Sequence, residues 1–346
     1  MRNILPCVIL NFNITILFLF LFTIVSASRY NYTERYDTIQ NVVSRILVVD
    51  KSGSGNFTTI QQAIDSTPND NQLWIQIHIK AGIYNEKITI QNKQFLFLDG
   101  EDTDTTIIAW SPTTNASNNP TFTMQADNFI ARNITFKNTY NRDLVPVLEN
   151  GRSMTQAYAA SIEGDKVSFY SCGFVGLQDT VYDVGGRHYF ESSHIEGAVD
   201  FIFGNGQSFY KGCTLNVTGS LIHGKGYITA QGRESANESS GFVFHSSNVI
   251  GTGHAYLGRA WRKHARVLFY NTYMDHIILP EGWDNTWNDP LDLITFAEEG
   301  CSGPGANKSR RVKWEKSLTT QELDNLVNIN NFINKDGWME KQPLRG

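Results

Sequence analysis

The chain has 346 residues, 41% hydrophobic, 12% aromatic and 18% charged, which supplies a large core and excludes an intrinsically disordered protein. Its 34 acidic residues outnumber 29 basic ones for a net charge of -5, so the basic field that holds nucleic acid is missing and nucleic acid is not an expected partner. Residues 1–27 carry Arg2, an apolar run over 16–25, and then Ser26-Ala27. That pattern reads as a cleaved secretory signal, because the run is shorter than the roughly 18 to 20 residues that span a bilayer. No membrane association is expected after cleavage. The expected plan is a signal over 1–27, an N-terminal extension over 28–43 and a single domain over 44–346.

Export agrees with seven Asn-x-Ser/Thr sequons beyond the signal, at Asn31, Asn56, Asn115, Asn133, Asn216, Asn237 and Asn307. The mature chain keeps three cysteines, Cys172, Cys213 and Cys301, so at least one thiol stays free unless it pairs with another chain. There is no C-x-x-C, no H-E-x-x-H and no clustered Cys/His spacing, and no metal is expected.

Near the start, 56–65 places Ile60, Ala63 and Ile64 on one helical face. Short β-branched and aromatic runs follow at 74–79, 88–90, 95–98 and 106–108, each bounded by turn-forming residues, and read as strands. Then a hexad recurs, aromatic-x-x-small-x-apolar, starting at Phe169, Phe190, Tyr210, Phe244 and Phe269, at separations of 21, 20, 34 and 25 residues. A repeat of that length with occasional insertions predicts an all-β, single-stranded parallel β-helix, in which each coil buries its inner face against the coils above and below. A β-sandwich also has recurring strands, but offers no reason for the same hexad to return at coil length. At the far end Thr319-Thr-Gln-Glu322 has capping-box spacing, with Leu323, Leu326, Val327 and Phe332 forming an apolar stripe. Short helices are therefore expected to cap both ends of the solenoid.

Extending two successive hexads gives Phe169-x-x-Cys172-x-Phe174-x-Gly176-x-x-Asp179 and Phe190-x-x-Ser193-x-Ile195-x-Gly197-x-x-Asp200. Identical spacing predicts that Asp179 and Asp200 lie on adjacent coils, with backbones roughly 4.8 Å apart. Two carboxylates that close repel, and at least one should bind its proton unusually tightly. Either aspartate alone reads better as a turn former than as a catalytic group. The pair in register, beside Gln178 and in the apolar setting Val199-Asp-Phe-Ile-Phe-Gly-Asn205, points to acid-base chemistry.

At these residues the chain resembles the pectin methylesterases. The resemblance runs through Gly82-Ile-Tyr84-Asn-Glu86, Gln156-Ala-Tyr-Ala-Ala160, Gly176-Leu-Gln-Asp-Thr-Val-Tyr182, Val199-Asp-Phe-Ile-Phe-Gly-Asn205, Ile228-Thr-Ala-Gln-Gly-Arg233 and Leu257-Gly-Arg-Ala-Trp261. It implies a right-handed parallel β-helix that hydrolyses the methyl esters of homogalacturonan in the plant cell wall, secreted, monomeric and without a cofactor. It further implies Asp200 as nucleophile, Asp179 as acid and then base, Gln156 and Gln178 as oxyanion donors, and Arg259 as the partner that orients Asp200. Tyr182, Phe203, Trp261 and Trp283 would line the substrate groove, and a proteinaceous inhibitor is a candidate partner.

Several positions depart from the family pattern. Ala260 stands where the family has proline, which leaves Arg259 less rigidly held. Leu177 replaces an aromatic residue and would alter a substrate contact. Ser193 stands where many plant members have a cysteine bonded to the one at Cys213, and Cys172, two coils from Cys213, is out of disulfide reach, so free thiols are expected. Between residue 28 and the first coil there is no room for the helical inhibitory pro-region of many plant members. His188, His194 and His264 read as surface or coil residues without catalytic partners. Two other readings remain open: a lyase or glycoside hydrolase on the same fold, and a wall-binding relative without activity.

Overall fold

The computed structural model describes residues 43–112, 119–141, 154–287 and 290–343. The signal over 1–27, residues 28–42 of the extension and the sequons Asn31 and Asn115 lie outside the described residues. The described strands form three sheets of ten, eight and eight members, in which successive neighbours come from successive coils. One coil runs from Val167–Tyr170 in the ten-stranded sheet through Gly173–Val175 to Val181–Asp183, and the next begins at Arg187–Glu191. The pairings between these coils are parallel. The architecture is a parallel β-helix.

The hexads stack in the register their spacing predicts. Phe169 pairs with Phe190, Phe190 with Tyr210, Tyr210 with Phe244 and Phe244 with Phe269. Their rings form a fully buried ladder with centroid separations of 4.9, 4.4, 4.7 and 4.6 Å. The ladder repeats at the strand spacing, so each ring gains a stacking partner without bending its strand. The small fourth positions, Cys172, Ser193, Cys213, Ser247 and Thr272, are buried at the turn between two sheets, where the Ser193 and Ser247 hydroxyls accept the Cys172 and Cys213 backbone N–H groups. The three cysteines are free, and burial pushes the Cys172 and Cys213 thiols up to about 12.

At the near end the helix is shorter than its apolar pattern, Ile60–Asp65, capped by Thr59, and it buries Ile60, Ala63 and Ile64. At the far end the capping box forms as predicted at Thr319 and Glu322, starting the helix Thr320–Val327, and Ile329–Phe332 follows. These last helices pack along the outer face of the ten-stranded sheet, where Leu326 and Phe332 meet Tyr189, Phe209 and Val243, so they cover a side of the solenoid.

Candidate active site

Strand alternation builds the floor of the site. In the sheet containing Val181–Asp183, the outward positions of successive coils form one column: Ser161, Tyr182, Phe203, Ala230, Arg259 and Asp284. Their neighbours Val181, Ile202 and Thr229 turn inward and are fully buried. Tyr182 and Phe203 stack at 4.4 Å and 7°, and Tyr158 leans on both at 5.5 and 5.3 Å. Trp261 closes the side, edge-on to Tyr182 and Phe203 at 6.3 and 5.8 Å. Gly232 is required beneath it, since a Cβ there would lie 2.8 Å from the indole ring.

Asp179 and Asp200 sit at the turn that leads into this column. A bridge pairs Gln178 with Val199, and the Asp179 N–H donates to the Val199 carbonyl at 2.9 Å, which sets the two aspartates side by side on adjacent coils. Both occupy left-handed backbone, φ 60° for Asp179 and 47° for Asp200. Such conformations are uncommon away from glycine, though aspartate tolerates them better than most residues. With Gln156, Gln178, Arg259 and the aromatic residues, the pair lines a cleft of about 390 Å³.

The two carboxyls have opposite surroundings. Arg259 reaches back across the small Ala230 and grips Asp200 with both arms, Nε donating to Oδ1 at 2.9 Å and Nη2 to Oδ2 at 2.5 Å. The guanidinium is sandwiched between the rings of Tyr227 and Trp287, 4.0 and 4.4 Å from their centroids. Those rings and the carboxylate hold Arg259 in place despite the missing proline. Asp179 has no such partner, and its carboxyl makes no hydrogen bond among the described residues. Burial first, then the charge of Asp200, pushes it up to about 8, against a weaker pull from Arg259. Burial also raises Asp200, but there the two bonds and the charge of Arg259 work against it. A proton shared by the pair therefore resides on Asp179, leaving Asp200 ionised.

Gln156 is exposed and Gln178 half-buried, and neither side chain is tied up by a hydrogen bond among the described residues, so both amides can donate into the cleft. The described residues hold no cluster of three or more metal-ligating side chains.

One groove residue is misassigned by sequence reasoning. Trp283 is only 1% exposed and stacks on Phe296 at 4.5 Å inside the solenoid. Its strand, Trp283–Asp284, pairs Asp284 with Arg259 on the outward column, so Trp283 must face inward. Beside Trp261, the tryptophan that lines the cleft is Trp287, 46% exposed. Tyr158 was also missed, although the buried Ala157 and Ala159 flanking it mark 156 and 158 as outward neighbours. Leu177 is buried and does not line the cleft. His188 is no surface residue: it is fully buried, bonded through Nδ1 to Asp183 at 2.6 Å and through Nε2 to the Gly164 carbonyl at 2.8 Å.

Comparison with known proteins gives a consistent picture. The family model described as Pectinesterase matches residues 46–340. The chain is 47% identical over 308 residues to "Probable pectinesterase 29" of Arabidopsis thaliana, covering 88% of this chain and 91% of the relative. Among solved structures it is similar to "Pectin methylesterase from Carrot", with a TM-score of 0.78 and 29% identity over 87% of this chain and 96% of that one. A pectin methylesterase solved in complex with a hexasaccharide superposes with a TM-score of 0.70 at 28% identity, covering 83% of this chain and 96% of the other.

Proposed function

This chain belongs to the pectinesterase family, whose members hydrolyse the methyl esters of pectin, and from that premise we propose that it does so through an Asp200 acyl-enzyme. An ionised Asp200 oxygen adds to the ester carbonyl of a galacturonate unit. The negative charge that develops on the carbonyl oxygen is met by the Gln156 and Gln178 amides. As the tetrahedral species collapses, the C–O bond to the methoxy group breaks and that oxygen takes the proton of Asp179, so methanol leaves. Asp179, now a carboxylate, accepts a proton from water, and the resulting hydroxide attacks the acyl carbon. The bond to Asp200 breaks, the galacturonic acid unit is released and gives its proton to solvent, and the starting protonation of the pair is restored.

The observation that carries this reading is the asymmetry of the dyad: Arg259 neutralises Asp200 while Asp179 is buried beside it without a cation of its own. The stacked Tyr182 and Phe203, with Trp261 and Trp287, offer flat apolar faces for the sugar rings. Secretion to the plant cell wall and action there as a monomer belong to the same reading, supported by the apolar leader over 16–25 and by the plant origin of the relative.

Methanol release from methyl-esterified polygalacturonan, compared between the wild type and Asp200→Asn, tests it. Release by the wild type and none by the variant is expected. Unsaturated sugar ends would indicate a lyase, shortened chains without methanol a glycoside hydrolase, and undiminished methanol release by the variant would remove Asp200 from the chemistry.

A further inference from the structure

Along two inward columns of the solenoid the packing is apolar until it reaches the coils that carry Asp179 and Asp200. In the ten-stranded sheet Phe129 and Val167 lead up to His188 and Ser208, and Phe242 and Val267 resume after them. In the sheet of the cleft Met124 and Ile162 lead up to Asp183. His188, Asp183 and Tyr210 are fully buried and form one network. The imidazole donates through Nδ1 to Asp183 Oδ1 at 2.6 Å and through Nε2 to the Gly164 carbonyl at 2.8 Å, while the Tyr210 hydroxyl donates to Asp183 Oδ2 at 2.6 Å. Both partners of the ring are acceptors, so both nitrogens carry protons and His188 is an imidazolium facing a carboxylate. Burial opposes that charge, but Asp183, the Gly164 carbonyl and the charge of Asp165 outweigh it, and His188 holds its proton more tightly than an ordinary histidine. Gly206 leaves room for the carboxylate, since a Cβ there would lie 1.9 Å from Asp183 Oδ1.

The network joins three successive coils. Gly164 follows the strand Ala160–Ile162 that Gln156 leads into, Asp183 ends the strand Val181–Asp183 that Asp179 leads into, and Tyr210 lies on the coil that begins at Asp200. These strands, with Ile202–Gly204, have three residues each, so few ladder bonds join one coil to the next in this sheet. We propose that Asp183 and His188 are positioning residues for the esterase: they pin the far ends of the short strands, and so hold Asp179, Asp200 and the two glutamines in register at the near ends. The proposal rests on the esterase reading above and deepens it. An extended strand of this length spans only about 10 Å, which carries a shift at one end to the other. A buried ion pair is a poor source of net stability, and apolar side chains would pack here as they do in the coils before and after. What the network supplies is direction, because hydrogen bonds fix angles as well as distances. A misplacement of about 1 Å among reacting groups is enough to lower a rate by about a hundredfold.

The test is Asp183→Val/His188→Leu/Tyr210→Phe, which replaces the network by apolar side chains, with methanol release from methyl-esterified polygalacturonan followed well below the melting temperature. Its kcat should fall roughly ten- to a hundredfold with KM little changed. The alkaline limb of its kcat/KM profile should also move below about 8, where the Asp179 proton places it in the wild type. Slack coils admit water to Asp179 and loosen its approach to Asp200, the two influences that raise it, while Arg259 continues to pull it down. The limb is the deciding readout, since a purely structural loss lowers activity at every pH alike and leaves the limb in place. Tyr210→Phe keeps its ring in the ladder and removes one bond to Asp183, so it should show a smaller shift in the same direction, and it decides the matter if the triple variant does not fold. A limb that stays at the wild-type position in the folded variants overturns the proposal. Absence of methanol from the wild type would instead refute the esterase reading, and this inference with it.

Discussion

Replacing Asp179 with asparagine should stabilise the protein while disabling it. The folded chain keeps the Asp179 proton up to about pH 8, whereas the unfolded chain releases it near the ordinary value of 3.8. Between those limits the folded state holds one proton more than the unfolded state. The sign follows directly: unfolding free energy falls as pH rises, by about 1.36 kcal/mol per pH unit from this group. From about pH 4 to about pH 7 that is roughly 4 kcal/mol, a large part of a typical folding free energy. Asparagine is nearly the same shape and has no proton to lose, so the variant should gain on the wild type by about that amount over this range. Urea denaturation of both proteins at several pH values measures it. Two stability curves that stay parallel from about pH 4 to about pH 8 would refute the argument, because they would show that Asp179 titrates as an ordinary carboxyl. On the proposed mechanism the same proton sets the activity: wild-type kcat/KM should decline as pH rises through about 8, where the acid that protonates the departing methoxy oxygen is lost.

Arg259→Gln should move the acidic limb of the kcat/KM profile to higher pH, since Asp200 loses both bonds that oppose its burial. Breaking a buried pair of this kind costs about 3–5 kcal/mol while the carboxylate stays charged, so the loss in thermal stability should lessen toward low pH. Gln178→Leu should lower kcat by about 10²- to 10³-fold, with KM and the far-ultraviolet dichroism little changed, as expected of a donor aimed at the oxyanion. Trp283→Ala should cost about 3–5 kcal/mol of stability in a denaturant titration. Trp287→Ala should leave stability within about 1 kcal/mol and raise KM instead, and a reversal of those two outcomes would contradict the placement of the tryptophans.

The juxtaposition of the two aspartates was legible because a solenoid converts sequence spacing into spatial register. Phe169 and Phe190 begin hexads with the same internal spacing, so the backbone ladder that pairs the two rings also carries Asp179 to Asp200. The reading weakened where coils carry insertions. Between the hexad at Phe269 and the last strand, residues 275–282 form an irregular excursion, and nothing in the order of residues tells whether Trp283 or Trp287 re-enters the sheet. A shift of one residue exchanges inside for outside. His188 proved a coil residue and not a surface one, a distinction the chain order left open because its partner Asp183 lies across the turn between two sheets, where neither helical nor strand periodicity relates one residue to the other.

What the order of residues determined by itself was the repeat: its hexads require stacking of like on like, and the two aspartates follow from that stacking whatever the exact path of the loops. What only tertiary structure decided was the electrostatic division of labour between them. Arg259 lies 59 residues beyond Asp200 in the chain and reaches it only because the intervening coil presents Ala230, leaving open the space a larger side chain would fill. Whether a carboxyl keeps or loses its proton depends on burial and on the nearest cation, and both are properties of packing that spacing along the chain does not encode.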